Sequence, residues 1–482
     1  MIRTRFAPSP TGSLHVGNAR IAVLNWLFTR HHGGCFVLRI EDTDVDRNIT
    51  GAEAGIRQDL LWLGLDWDEG PGAGAHGPYR QSERGASYVR AATRLRDSGH
   101  AYPCFCAADP QDDSVERRDR CACAALPLSA ATTRAETEPH ILRFRVPAGE
   151  TISIDDVVRG AVEFASDEIA DFVLLRSDGR PTYNFAVVVD DIEMRITHVI
   201  RGVGHLSNTP RQALLFDALG AARPVFAHVP MVLGPDRQKL SKRHGAAGMA
   251  EYRVQGYHPD GLVNYLSLLS WSSPSGEDVL SRQQLIDEIS LERIGVADAM
   301  FDSAKLRWLS ARHIERMPLA ALVNAVRPFL DHVRFDLDDV RLTAAVAATR
   351  THYSTFADIN EQLDAFYPPH GTDAAVNDSL PGGHPIAAGA DADVISSTVI
   401  ESATAVLTSL AGWNEDVLRA ALQDIGRAAG VKGRALYEPL RLALTGRAHG
   451  PPLAAILFVQ GRERVISALE SARTARTPET GQ

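Results

Sequence analysis

Ile2-Arg3-Thr4-Arg5-Phe6-Ala7-Pro8-Ser9-Pro10-Thr11-Gly12 is the stretch whose reading decides the fold. Ile2 to Phe6 alternates in the manner of a β-strand, and two prolines and a glycine then turn the chain. Ala19, Ala22, Val23, Trp26 and Leu27 follow at helical spacing, and Gly33-Gly34 closes that helix. Cys35 to Ile40 is a second, mostly apolar strand, the pattern of a strand buried in a parallel sheet. Together these make a βαβ unit.

In such sheets ligands bind beyond the carboxyl ends of the strands. Two polar clusters fall there. One holds Ser9, Thr11 and His15-Val16-Gly17-Asn18, and the other is Glu41-Asp42-Thr43-Asp44. A helix N-terminus favours an anion, and Gly17 lets a phosphate approach the backbone. No GxxxxGK[ST] is present, and the one GxGxxG, Gly72 to Gly77, is followed by Pro78 and does not join the first strand to its helix, which argues against an ordinary dinucleotide enzyme or P-loop NTPase.

A second half repeats this logic. Ile196 to Ile200 reads as a strand leading to Arg201 and Gly202. Thr209 reads as an N-cap, with Pro210 at the first helical position and Gly220 after the helix. His228 to Leu233 is the next strand, and the loop after it delivers Lys239-Leu240-Ser241-Lys242. Only four lysines occur against 46 arginines. Lysine is a compact, mobile charge, suited to a phosphate whose geometry changes during reaction. Further along the first half, Thr50 with Glu53 forms a capping box, Ile56, Leu60, Leu61 and Leu63 make an apolar face, and Gly64 ends that helix.

Composition bounds the rest. The chain has 482 residues and a net charge of −10, with no apolar run long enough to span a membrane. Two to four domains are expected at this length. Residues 321–482 carry more Asp and Glu than Lys and Arg, so charge lends no support to nucleic-acid binding. Gly371 to Ala392 lacks helical periodicity and reads as a mobile loop. Cys104-x-Cys106 and Cys121-x-Cys123 offer four soft ligands for a structural zinc, although the usual knuckle is CxxC. The alternative is four reduced thiols in a loop. Cys35, within a strand, reads as core.

The motifs carry a resemblance. Arg5 to Gly12 with His15-Val16-Gly17-Asn18 is similar to the first signature of class I aminoacyl-tRNA synthetases in its glutamyl form, and Lys239-Leu240-Ser241-Lys242-Arg243 to the second. Arg39-Ile40-Glu41-Asp42-Thr43-Asp44, Gly77 to Arg84, Pro181 to Ala186, Leu206 to Gln212, Gly430 to Arg434 and Leu442 to Gly446 also resemble bacterial glutamate–tRNA ligases. The resemblance covers nearly the whole chain and is weakest over about 330–410.

It implies an α/β Rossmann-like class I synthetase catalytic domain with an inserted acceptor-binding domain, followed by an all-α anticodon-binding region. The expected limits are 1–77 and 186–225 for the catalytic fold, 78–185 for the insertion, 226–320 for a helical connecting region and 321–482 for the anticodon-binding part. It implies ATP, Mg2+, L-glutamate and tRNA (acceptor end and anticodon) as substrates and partners. A structural Zn2+ in the insertion, a monomer and a cytoplasmic location are further expectations.

Carried over residue by residue, Arg5 and Arg201 bind the carboxylates of glutamate, Glu41 accepts from its ammonium, and Ala7, Ser9 and Tyr183 complete the pocket. His15, Gly17, Lys239 and Lys242 bind ATP. His15, Lys239 and Lys242 are the catalytic groups. The substrate carboxylate is its own nucleophile, so the work is orientation and charge stabilisation at the α-phosphate. One departure stands out. In the family, two acidic residues usually follow the Arg-Gly, and here Val203-Gly204 follows Arg201-Gly202. Three readings stay open: a working ligase, a diverged paralogue charging another acceptor, and a catalytically weak RNA-binding relative.

Overall fold

The computed structural model describes residues 1–106, 121–238, 240, 248–367 and 390–474. They form two compact units, one of residues 1–254 with 259–309, the other of 255–258 with 310–482.

The first unit opens with β1 (Arg3–Phe6), α1 (Val16–His31) and β2 (Cys35–Leu38). β1 and β2 pair in parallel, Arg3 opposite Cys35 and Phe6 opposite Leu38, and every residue of both is buried. This is the expected βαβ unit, with Cys35 in the core. Then come α2 (Ala52–Trp62), α3 (Gly85–Asp97), β3 (Ala101–Cys104), α4 (Leu128–Ala135) and β4 (Ile141–Phe144). The hairpin β5 (Thr151–Asp156) and β6 (Gly160–Ala165) precedes β7 (Val173–Leu175) and α5 (Tyr183–Glu193). After these come β8 (His198–Gly202), α6 (Thr209–Ala218), β9 (Val225–Val229), β10 (Val232–Leu233) and β11 (Ala299–Met300).

β3, β4 and β7 form a small antiparallel sheet. A second sheet runs β6-β5-β9-β8, with β8 and β9 parallel. The Thr197 amide, just before β8, donates to the Arg3 carbonyl at 2.9 Å, so β1 lies beside β8. α1 is tied to this layer by polar bonds as well as apolar packing: Asn25 Nδ2 donates to the Ile200 carbonyl at 2.9 Å.

Several local expectations fail for physical reasons. The cap of α2 is Gly51 at φ +83°, with no side-chain bond, because Glu53 is taken by Arg80 at 2.8 and 2.9 Å. Leu61 is exposed, while Ile56, Leu60 and Leu63 are buried. Thr209 is the first helical residue and not the cap. Its hydroxyl accepts from Arg201 at 2.9 Å. The strand expected over His228 to Leu233 is two, β9 and β10, parted at Pro230, which has no N–H for a ladder.

The second unit is helical throughout its described residues. Helices such as Leu319–Val326, Asp339–Thr349, Glu415–Ala428, Leu453–Gln460 and Arg462–Thr474 enclose one apolar core that includes Leu342, Ile359, Ile400, Ile425, Ile456 and Leu469. Residues 368–389, most of the expected loop, lie outside the described residues, but Ala390 to Ala392 begin the helix Ala390–Ser409.

Candidate active site

The two expected polar clusters meet at the carboxyl ends of β1, β2 and β8. The Glu41 amide donates to the Pro8 carbonyl at 3.0 Å, and Ile49 N–H to the Pro10 carbonyl at 2.9 Å. These bonds place the segment after β2 against the turn after β1. A cavity of about 280 Å³ results, lined by Arg5, Ala7, Ser9, Glu41, Tyr183 and Arg201, together with Thr11, Gly202 and His205. Every residue expected to hold glutamate therefore faces one pocket.

The two arginines of that pocket differ in their partners. Arg5 gives Nε to Asp191 Oδ1 at 3.2 Å. Asp191 also receives Arg39 Nη1 at 2.6 Å, and Arg39 Nη2 reaches Glu41 Oε1 at 3.1 Å. Asp190, the neighbouring acid, accepts from Arg84 Nε at 2.5 Å, Gln81 at 2.7 Å and Tyr88 at 3.1 Å. Burial opposes ionisation of Asp191, but Arg5 and Arg39 overcome it and hold the carboxyl below its usual range. This buried lattice fixes Arg5 and Glu41 from behind.

Arg201 has no such counter-charge among the described residues. It is buried, and its bonds go to neutral acceptors: His228 Nε2 at 3.0 Å, Gln212 Oε1 at 2.8 Å, Thr209 Oγ1 at 2.9 Å and the His205 carbonyl at 3.4 Å. Burial lowers its pKa to about 10, and it remains a cation. A buried guanidinium whose hydrogen bonds all go to neutral acceptors, with Asp191 and Glu41 attracting it only through space, is suited to bind an anion. Glu41 shows the opposite need. Burial pushes its carboxyl above the ordinary 4.5 even against Arg39 and Arg5, so a ligand cation would stabilise its ionised form.

A second cavity of about 540 Å³ adjoins the first, sharing Asn18, Ile21, Gly202 and His205. His15 and Gly17 lie on it at the N-terminus of α1, and Val203, Gly204, Met231 and Leu240 line it too. Among the described residues, no atom beyond its own helix and chain neighbours lies within 4 Å of where a Gly17 Cβ would stand, which suits the helix N-terminus to a ligand. Lys239 and Lys242 lie outside the described residues. Of their neighbours, Leu240 lines the cavity with its amide on the Val232 carbonyl at 3.1 Å, and Gly248, where the described residues resume, forms a β-bridge with His15.

Cys104, Cys106, Cys121 and Cys123 also converge, their sulfurs all within 4.8 Å of one another. The Cys104–Cys121 and Cys106–Cys123 separations are 3.6 and 3.9 Å, and Cys106–Cys121 is shorter at 3.0 Å. Sulfurs about 2.3 Å from one tetrahedral zinc stand roughly 3.8 Å apart. The Phe105 amide points at Cys123 Sγ and the Cys123 amide at Cys121 Sγ, each at 3.4 Å, the kind of contact that supports thiolates. The donor set fits a structural zinc.

Sequence reasoning missed Asp190, Asp191, Arg39 and Arg84 as parts of the site. Their signal was present: two adjacent acids inside the apolar run Phe185 to Ile192 must be buried with cations or leave that helix unsatisfied.

Comparison with known proteins agrees with this geometry. Residues 1–308 match the family model "tRNA synthetases class I (E and Q), catalytic domain", and residues 321–473 match an anticodon binding domain. The glutamate–tRNA ligase of Desulforamulus reducens is 40% identical over 98% of this chain and 99% of its own length. That of Carboxydothermus hydrogenoformans is 40% identical over 96% and 97%. A crystal structure of a glutamate tRNA ligase from Elizabethkingia meningosepticum in complex with its amino acid superposes with a TM-score of 0.83, at 29% identity, over 99% of this chain and all of that one. The chain belongs to the class I tRNA synthetases of the glutamate and glutamine type, and within them to the glutamate–tRNA ligase family.

Proposed function

We propose that this enzyme joins L-glutamate to tRNA in two steps at the two adjoining cavities. The observation that carries the assignment is Arg201: a buried cation with only neutral partners, in a pocket that also holds Arg5 and Glu41. Two cations and one anion complement two carboxylates and one ammonium. A neutral or basic amino acid would leave one of these charges unpaired.

In the first step an oxygen of the glutamate α-carboxylate attacks the α-phosphorus of ATP. The bond to the bridging oxygen breaks and pyrophosphate leaves; Mg2+, when bound, would share its charge. His15 donates to phosphate oxygens in front of the α1 N-terminus, and Lys239 and Lys242 neutralise the leaving group. In the second step a terminal ribose hydroxyl of tRNA attacks the acyl carbon and AMP leaves. The domain limits proposed are 1–77 with 186–225 for catalysis, 78–185 for the acceptor end, 226–320 as a connection and 321–482 for the anticodon. The four cysteines would hold one zinc within the acceptor-binding part. We propose further that the protein works as a monomer in the cytoplasm.

One observation favours a second reading. Val203 and Gly204 line the nucleotide cavity where the family places acids, which fits a paralogue with weakened ATP binding or another acceptor. The deciding experiment is glutamylation of total tRNA, followed by identification of the charged species. Charging of glutamate-accepting tRNA establishes the first reading. Charging of a different tRNA establishes the second, and no glutamate transfer to any tRNA rejects both.

A further inference from the structure

Arg201 is held from behind by a buried relay that begins on the β5–β6 hairpin. His228 on β9 presents Nδ1 to Asp156 Oδ2 at 2.6 Å and Nε2 to Arg201 Nε at 3.0 Å. An arginine N–H can only donate, so His228 Nε2 must be the bare acceptor. The imidazole proton then sits on Nδ1, where Asp156 receives it. Asp156 is itself fixed by the amides of Val158 at 3.0 Å, Arg159 at 2.9 Å and His228 at 3.1 Å. Both His228 and Asp156 are buried.

The arrangement solves a specific problem. A carboxylate placed directly on Arg201 would orient it but also neutralise it, as Asp191 does in part for Arg5. A neutral imidazole between Asp156 and Arg201 orients the guanidinium and leaves its charge for the ligand. A protonated His228 would set N–H against N–H. Burial, with Arg201 nearby, keeps it neutral by lowering its pKa. Bonds from His228 and the backbone, overcoming burial, keep Asp156 ionised.

We infer that the Asp156–His228 pair is the positioning device for glutamate: it sets the guanidinium plane of Arg201 and so determines affinity for the substrate carboxylate. This rests on the proposed function, since it takes Arg201 to be the carboxylate site. Neither residue touches substrate; both act through Arg201.

The test is glutamate- and ATP-dependent pyrophosphate exchange, with tRNA present, on wild type, His228→Leu, His228→Gln and Asp156→Asn, each with a melting curve. His228→Leu should raise the KM for glutamate at least tenfold and leave that for ATP within twofold. His228→Gln keeps an acceptor for Arg201 and a donor for Asp156, and should recover most of the loss. Asp156→Asn, which frees the imidazole tautomer, should fall between. Unchanged glutamate KM in folded His228→Leu overturns the inference. So does a parallel rise in both KM values, which marks a merely structural role. If His228→Leu does not fold, the other two decide: near-normal His228→Gln with a raised glutamate KM in Asp156→Asn supports the relay, and any other pair of results rejects it. Wild type without glutamate-dependent exchange rejects the proposed function itself.

Discussion

Arg5 and Arg201 face the same cavity, yet only Arg5 has a carboxylate partner, Asp191 at 3.2 Å. The asymmetry assigns them different work. Arg5 is held through Nε by Asp191 and meets a ligand carboxylate as a partly neutralised cation. Arg201 is the uncompensated charge, and a ligand carboxylate gains most from meeting it.

Arg201→Ala should therefore raise the KM for glutamate by about 10- to 100-fold, the equivalent of roughly 1.5–3 kcal/mol for a hydrogen-bonded charge. The KM for ATP should stay within about twofold. Melting should be unchanged or slightly higher, because a desolvated cation without an ion pair contributes little to folding. Steady-state exchange kinetics with a thermal melt check this, and a change confined to ATP would show the pocket to be misassigned.

Glu41 gives a pH dependence. Its carboxyl is raised above 4.5 by burial, and the substrate ammonium needs it ionised. As pH falls toward the raised pKa the carboxylate is lost, so glutamate affinity should weaken at a pH above the ordinary carboxylate range. Glu41→Gln should remove that slope and lower affinity at every pH. For stability the sign runs the other way. An acid that ionises more readily unfolded than folded loses folding free energy as pH rises through the raised pKa. Glu41→Gln at neutral pH should thus melt at or above wild type, with Arg39 still bonded to the amide oxygen. Calorimetric titration of glutamate across pH, with melts, measures both.

How far the sequence was legible depends on what each residue answers to. β1, α1 and β2 followed from periodicity and the two polar clusters from their place at strand ends, both local patterns, whereas the six pocket residues came from the family resemblance. Thr50 and Glu53 misled because Glu53 is claimed by Arg80, 27 positions away in the chain. Thr209 misled for the same reason, its hydroxyl serving Arg201. His228 read only as the start of a strand, and Asp156 carried no reading at all. Their meaning depends on β5 and β9 lying side by side, which no short window of sequence encodes.

The cysteine cluster predicts about one zinc per chain in protein purified without added metal. Cys104→Ser and Cys121→Ser should each lose it and lower the melting temperature, and a strong chelator should do the same to wild type. Metal analysis by mass spectrometry is the check. Metal-free wild type with all four thiols titratable and a normal melt would leave them as reduced cysteines in a small apolar cluster with Tyr102 and Ala124.

The Val203-Gly204 departure yields the sharpest expectation, and the structure narrows it. A glycine at 204 would be obligatory if its backbone were left-handed or its side-chain position filled. Neither holds: its φ is outside the positive region, and among the described residues no atom other than those of its chain neighbours lies within 4 Å of an added Cβ. Gly204 is exposed and lines the nucleotide cavity beside His15, Gly17 and His205. A glutamate there can reach the cavity without strain and offer a charged acceptor to the ribose or adenosine of ATP. Gly204→Glu should tighten ATP binding by about tenfold, as one charge-assisted hydrogen bond allows, with melting unchanged. Val203→Asp alone should do less, because Val203 is half-buried in the cavity wall. Calorimetry of ATP on wild type, Gly204→Glu and the double variant measures it. Tighter binding with unchanged melting identifies a nucleotide site weakened by loss of the acid, and favours the paralogue. Full wild-type charging with no gain on restoration shows that the helix N-terminus, His15 and the lysine segment already hold ATP, leaving an ordinary glutamate–tRNA ligase.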